Sequence, residues 1–219
     1  MKHREMLLKI YRKYACHINR IPFINKIRCN GKENDFQLDK PMVRCKIICS
    51  GENNKIILKP GGGLDRCTFL ISGNNNEIII GGKASAIGAT ICVEDSNNLI
   101  RIGDGSSLCG EILLAACEGT NIEIGEEMLA SSKIEIRTSD SHAIYDEYGE
   151  RINYAKNIKI GKHVWIGTGV KINKGVTIGD GSIVGNGSVV TRKYENSNVI
   201  IAGNPAKIVK EKVKWSKER

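Results

Sequence analysis

The stretch R-T-S-D-S-H-A-I-Y-D, Arg137 to Asp146, gathers a histidine, two aspartates, two serines, a threonine and a tyrosine within ten residues. These are the side chains of proton-transfer chemistry. A neutral imidazole within hydrogen-bond reach can take a proton from a weak nucleophile such as a hydroxyl, a contribution of typically about 10² to 10⁴ in rate. The chain has four histidines, His3, His17, His142 and His163. Only His142 stands in a polar, irregular segment of this kind, which makes it the candidate base. Such a base needs its second ring nitrogen held so that one tautomer is fixed. Asp140 or a backbone carbonyl could do this.

Eight cysteines, Cys16, Cys29, Cys45, Cys49, Cys67, Cys92, Cys109 and Cys117, form no CxxC pair and have no histidine at metal spacing. Most lie in apolar runs and read as small buried hydrophobes of a reduced protein, and no metal is expected.

The elements that must position His142 are repetitive. Asparagine followed by alternating aliphatics recurs at Asn34, Asn54, Asn76, Asn98, Asn121 and Asn157, with spacings of 20, 22, 22, 23 and 36 residues. One unit therefore takes slightly over twenty residues, and the last interval carries an insertion of about thirteen that contains His142. Inside the unit runs a finer period. Aliphatics at Ile160, Ile166, Ile172, Ile178, Val184 and Val190 stand six apart, and glycine follows four of the six.

A period of six fits neither an amphipathic helix nor simple strand alternation, but it fits a short flat strand plus a tight corner. Three such sides make a coil of about eighteen residues. Stacking at about 4.8 Å would satisfy the backbone between coils and align the aliphatics, and roughly eight coils would stand near 40 Å tall. Aromatics at 5% and 24 glycines among 219 residues suit such a solenoid better than a bundle.

The net charge of +9 points to an anionic partner, and much of the excess lies in the first 28 residues and the last 14. Few aromatics are interleaved with those charges, so nucleic acid is not the expected partner. No apolar run reaches the roughly 18 residues of a membrane span, and the start is too weakly apolar for a signal peptide, so the expected location is the cytoplasm.

The run I-G-K-H-V-W-I-G-T-G-V-K-I-N-K-G-V-T-I-G-D-G-S-I-V-G-N-G-S-V-V-T, followed by I-I-A-G-N-P-A-K-I-V-K, resembles the C-terminal signature of the hexapeptide-repeat acyltransferases. The match is specific from Asn157 to Lys210; the coils from Asn34 to Ile136 match in period alone.

The resemblance implies an all-β fold, a left-handed parallel β-helix over residues 29–205 with a loop insertion near 137–156. A basic N-terminal segment (1–28) and a basic C-terminal segment (206–219) are both expected to be helical. It also implies a homotrimer with sites between subunits, moving an acetyl group from acetyl-CoA to a hydroxyl of a sugar or polysaccharide precursor. A sugar N-acetyltransferase and a non-catalytic β-helix scaffold are the alternatives. A metal-dependent hydratase of the γ-carbonic anhydrase type would need three metal histidines, and only His142 and His163 lie in the coils.

In that family the catalytic histidine lies where His142 lies, and Trp165 would shape the acetyl pocket against a neighbouring subunit's histidine. Gly167, Thr168 and Asn186 would meet the pantetheine arm through backbone groups, and Thr191, Arg192, Lys207 and Lys210 would approach the nucleotide end. The usual turn after V-V-T is longer here and lacks proline. Glu111 and Glu118 are the expected acceptor ligands. Cys109 and Cys117 raise a thiolate-relay alternative, but nothing in the sequence sets His142 against either, so direct attack is favoured.

Overall fold

The computed structural model describes Asn19 and residues 24–218. Among them the chain is a β-solenoid of about eight coils with three sides, and it contains no helix. The first side is a parallel sheet of seven strands: Asp35–Leu38, Lys55–Leu58, Glu77–Ile80, Leu99–Ile102, Asn121–Ile124, Ile158–Ile160 and Thr177–Ile178. The second side runs from Met42–Val43 through Leu129–Ala130, Trp165–Ile166 and Ile183–Val184 to Ile200–Gly203. The third includes Lys26–Asn30, Lys46–Ser50, Thr68–Ser72, Ile134–Arg137, Lys171–Ile172 and Val189–Val190. Two long strands, Ser85–Val93 and Ser107–Ala116, turn the corner between the second and third sides at Gly88 and Gly110, where φ is +66° and +102°.

The coil follows from the side-chain period. In each short strand one residue points into the prism and its neighbours point out, so in-register stacking builds vertical ladders of like residues. Ile56, Ile78, Ile100, Ile122 and Ile158 form one ladder, each buried and each paired with the next. Met42, Leu64, Ala86, Leu108, Ala130, Ile166, Val184 and Ile201 form another. Each large aliphatic so buried stabilises the fold by about 1.5–3 kcal/mol relative to exposure.

Glycines make the corners tight as well as sharp. A Cβ on Gly125 would stand 2.7 Å from the backbone of Gly161 on the next coil, too close for any side chain.

The asparagines do stack, through backbone as well as side chain. The Oδ1 atoms of Asn34, Asn54 and Asn76 accept the backbone N–H of Asn54, Asn76 and Asn98, at 2.9, 3.0 and 3.0 Å. The next rung is Thr120, whose N–H bonds Asn98 Oδ1 at 3.0 Å, because Leu99 pairs with Asn121. Asn121 is thus one place out of the column, which explains a spacing of 23 after two of 22. Thr120 hands the ladder to Thr138 through a hydroxyl pair at 2.7 Å.

Two terminal expectations need correction or restriction. The basic C-terminal segment is no helix: Ala206–Lys210 is a strand, antiparallel to Ile200–Gly203. A solenoid end exposes unpaired backbone groups, and folding the chain back as a hairpin pairs them; Ala206 is buried and Ile208 packs on the core. The expected N-terminal helix lies mostly outside the described residues, and the part that is described contains the strand from Lys26, so the prism begins before residue 29. No helix among the described residues is long and apolar enough to cross a membrane.

Candidate active site

The insertion leaves the third side after Ile134–Arg137 and returns to the first at Ile158–Ile160. It is a folded loop. Tyr145 and Arg151 form an antiparallel bridge, and Ile152 N–H bonds Ile144 O at 2.9 Å. The turn between is closed by Asp146, whose N–H bonds Glu150 O at 3.0 Å and whose Oδ1 accepts the N–H groups of Tyr148 and Glu150, each at 2.9 Å.

Both flanking coils hold this loop. From the coil before, Glu118 accepts from Arg151 Nη2 at 2.7 Å, Ser139 Oγ at 3.2 Å and Ala155 N–H at 3.2 Å. The Arg151 guanidinium keeps the Glu118 carboxyl below its ordinary value, and the bonds to Ala155 and Ser139 act in the same direction. From the coil after, Lys174 Nζ bonds Asp140 Oδ2 and, at 2.8 Å, Asn153 O. Lys174 and then Asn153 hold the Asp140 carboxyl down likewise.

His142 stands at the exposed rim of this loop. Among the described residues its side chain makes no hydrogen bond; its backbone carbonyl accepts from Asn153 Nδ2 at 2.8 Å. The structure joins Asp140 to Lys174 and Asn153, and does not join it to His142. Glu118, expected to meet the acceptor, is committed to holding the loop, while Glu111 is exposed beside an open depression shared with Thr90, Leu113, Glu135 and Lys171. The depression directly beside the loop, about 290 Å³, is lined by Arg137, Ser139, Asp140, Ser141, Asn173 and Lys174.

Trp165 is on the second side of the next coil, paired with Leu129 below and Ile183 above, and 38% exposed. Its aromatic neighbour is Trp215, at 6.0 Å between ring centroids. Trp215 in turn stacks on His163 at 4.1 Å and 11°, donates from Nε1 to His163 O at 3.0 Å, and faces His163 Nε2 with its carbonyl at 3.2 Å. His163 is therefore a partner of the C-terminal tail.

Gly167, Thr168, Asn186 and Lys207 come together on the edge beyond Trp165. Gly167, Gly185 and Ala202 occupy one position on three successive coils, and Lys207 pairs with Ala202 at the top. Gly167 is buried, the place of a Cβ being filled by Asn186 of the next coil, and the column of small residues ends at the Lys207 ammonium. Asn186 Oδ1 accepts Thr168 N–H at 3.0 Å, so its side chain closes the coil-to-coil contact. Lys210 caps the column of Trp165, Ile183 and Ile200. Thr191 and Arg192 follow Val189–Val190 on the third side, whereas Lys207 pairs with Ala202 on the second.

The cysteine relay loses ground. Burial pushes the Cys117 thiol up, and pushes Cys92 beside it up to about 11, away from the thiolate a nucleophile needs. Cys109 is exposed and, like Cys117, is a free thiol. No group of three or more His, Cys, Asp or Glu side chains among the described residues is arranged to hold a metal ion.

Sequence reasoning missed Asn153, Arg151 and Lys174. Asn153 and Arg151 lie in the insertion and Lys174 at a polar corner of the repeat, and the partners through which they tie the loop are 9 to 34 residues away.

A family model for the bacterial transferase hexapeptide (six repeats) matches residues 157–192. No curated protein sequence matches the chain. Among solved structures, the polySia-specific acetyltransferase NeuO is 31% identical, with 89% of this chain and 90% of that chain covered and a TM-score of 0.79. The polysialic acid O-acetyltransferase OatWY is 29% identical, with 89% of each chain covered and a TM-score of 0.71. With a likeness that runs through nearly every coil and includes the hexapeptide segment, the chain belongs to the hexapeptide-repeat acyltransferases and is itself an acyltransferase.

Proposed function

We propose that the protein is an acetyl-CoA-dependent O-acetyltransferase acting on hydroxyls of an acidic polysaccharide of the polysialic acid type. The observation that carries this reading is the likeness, over 89% of this chain, to NeuO, a polySia-specific acetyltransferase. The net charge of +9 supports it, since a polyanionic acceptor is drawn to a cationic protein.

In the mechanism, neutral His142 accepts the proton of the acceptor hydroxyl as its oxygen attacks the thioester carbonyl carbon. The tetrahedral intermediate collapses with cleavage of the C–S bond, and the imidazolium returns the proton to the departing coenzyme A sulfur. The base contributes about 10² to 10⁴ in rate. Its exposure leaves the ring free to meet an acceptor.

The pantetheine arm would lie along the column of Gly167, Gly185 and Ala202 beside Thr168 and Asn186, with the phosphates toward Lys207 and Lys210. Thr191 and Arg192 belong to this site only if the nucleotide bends over the third side.

Within one chain, the His142 loop leaves from the edge between the third and first sides, while Trp165 is on the second. We therefore place the complete site between copies, with Trp165 of one protomer closing the acetyl pocket against the neighbour's His142 in a homotrimer. The coils are taken to wind left-handed, and residues 26–210 to form the catalytic domain of a cytoplasmic enzyme.

Incubation with acetyl-CoA and either sialic acid oligomers, maltooligosaccharides or an amino sugar tests this. The expected result is coenzyme A release with the sialic acid oligomers and an alkali-labile acetyl ester on the product. Transfer confined to an amino sugar, giving an alkali-stable amide, would overturn it.

A further inference from the structure

The loop that presents His142 closes on one buried amide. Asn153 is shielded from solvent, and its side chain reaches the backbone of the histidine itself and of Ile144 just after it. Oδ1 accepts the Ile144 N–H at 2.7 Å, and Nδ2 donates to the His142 carbonyl at 2.8 Å and to Asp140 Oδ2 at 3.0 Å. An asparagine amide has two N–H donors and one carbonyl oxygen, and here both donors are taken and the oxygen is occupied. The partners also fix which way the amide points, because a backbone N–H needs the oxygen and a backbone carbonyl needs the nitrogen. No donor is left for a substrate.

Asn153 is itself held: Lys174 Nζ donates to its backbone carbonyl at 2.8 Å and also binds Asp140. A lysine from the following coil thus ties the amide to the rigid prism, and the amide ties down residues 140, 142 and 144. The exposed His142 ring has no hydrogen bond of its own among the described residues, so its position is inherited from this backbone.

We infer that Asn153 is the positioning residue for His142, acting through the carbonyl of His142 and the amide of Ile144 and touching no substrate. Asp140, expected to orient the imidazole directly, acts one step back as the carboxylate that Asn153 and Lys174 share. The inference rests on the reading of His142 as the base. Displacement of a reacting group by about 1 Å can cost on the order of 10²-fold in rate, so loosening this backbone should be visible in turnover.

The test is a double-mutant cycle on the full chain, with Asn153→Ala, the isosteric Asn153→Asp, His142→Ala and the combinations. Asn153→Asp keeps the acceptor for Ile144 and replaces the donor that faces His142 O. Both single variants should lower kcat roughly 10- to 100-fold, with acetyl-CoA Kd and Tm close to wild type. In the His142→Ala background each should lower kcat less than about 2-fold, since a positioning residue has nothing left to position.

A full loss that persists without His142 would overturn the inference and make Asn153 a ligand or a scaffold residue in its own right. So would a kcat within 2-fold of wild type in Asn153→Asp, which decides the matter if Asn153→Ala collapses the loop. Undiminished turnover in His142→Ala alone is a different result: it removes the base assignment, and the inference falls with it.

Discussion

Glu118 is expected from the sequence to meet the acceptor and, in the structure, anchors the His142 loop; one substitution separates the roles. The variant is Glu118→Ala, since φ at this corner is +57° and glycine would also relieve backbone strain there. The Ala155 N–H and the Ser139 hydroxyl, both at 3.2 Å, would lose their acceptor. Both bonds are long, so each is taken at the lower part of the ordinary net range, about 0.5–1 kcal/mol, and the loop is weakened by about 1–2 kcal/mol, a lower bound because Arg151 loses its partner too. That corresponds to a rise of about 5- to 30-fold in the population of the opened loop.

The coil ladders are untouched, so Tm should move by only a few degrees. Native-state hydrogen exchange reads the local effect at the amides of Ile144, Asp146, Glu150 and Ile152, all hydrogen-bonded inside the loop. They should exchange about 5- to 30-fold faster while amides in Asn121–Ile124 keep their rates. Unchanged loop exchange together with a raised KM for the acceptor would refute the anchor role and restore Glu118 as a substrate ligand.

Three further outcomes are expected. Gly167→Ala should lower Tm by several degrees, because its Cβ would fall 2.3 Å from Asn186 Oδ1 and 2.8 Å from Asn186 N, an overpacking of about 1–3 kcal/mol; differential scanning calorimetry measures it. Lys207→Glu combined with Lys210→Glu should raise the Kd for acetyl-CoA, and the gap from wild type should narrow as salt rises in a calorimetric titration. Acid should release the loop first. Glu118 and Asp140 both have folded-state values below the ordinary ones, so their stabilisation is complete above the ordinary carboxylate range near about pH 4. It is lost as pH falls through the folded-state values, and the near-UV circular dichroism of Tyr145, Tyr148 and Tyr154 should fade there before the far-UV signal of the prism.

The repeat was legible because coil stacking forces like residues onto like positions. The six-residue spacing from Ile160 to Val190 is three ladders visited in turn, Ile160 stacking on Ile178, Ile166 on Val184 and Ile172 on Val190. Asn121 misled by one place because asparagine and threonine can both cap a corner N–H, and the column changes from one to the other at Thr120. The C-terminal strand was read as a helix because its lysines dominate A-K-I-V-K, while the need that decides its conformation is the unpaired end of the prism. The insertion announced a site, but not its wiring. Glu118 meets Arg151 across 33 residues and Lys174 meets Asp140 across 34, distances at which composition carries no pairing information. The residue types suggested an Asp140–His142 pair from nearness in sequence. In the folded loop Asp140 goes instead to the stronger partner, an ammonium group delivered by the next coil.

The central claim is that His142 is the base of an acetyl transfer, and single-turnover kinetics of His142→Ala test it most directly. With acetyl-CoA Kd unchanged and sialic acid oligomers as acceptor, the variant should transfer acetyl about 10² to 10⁴ times more slowly than wild type. A rate within a few-fold of wild type would contradict the account.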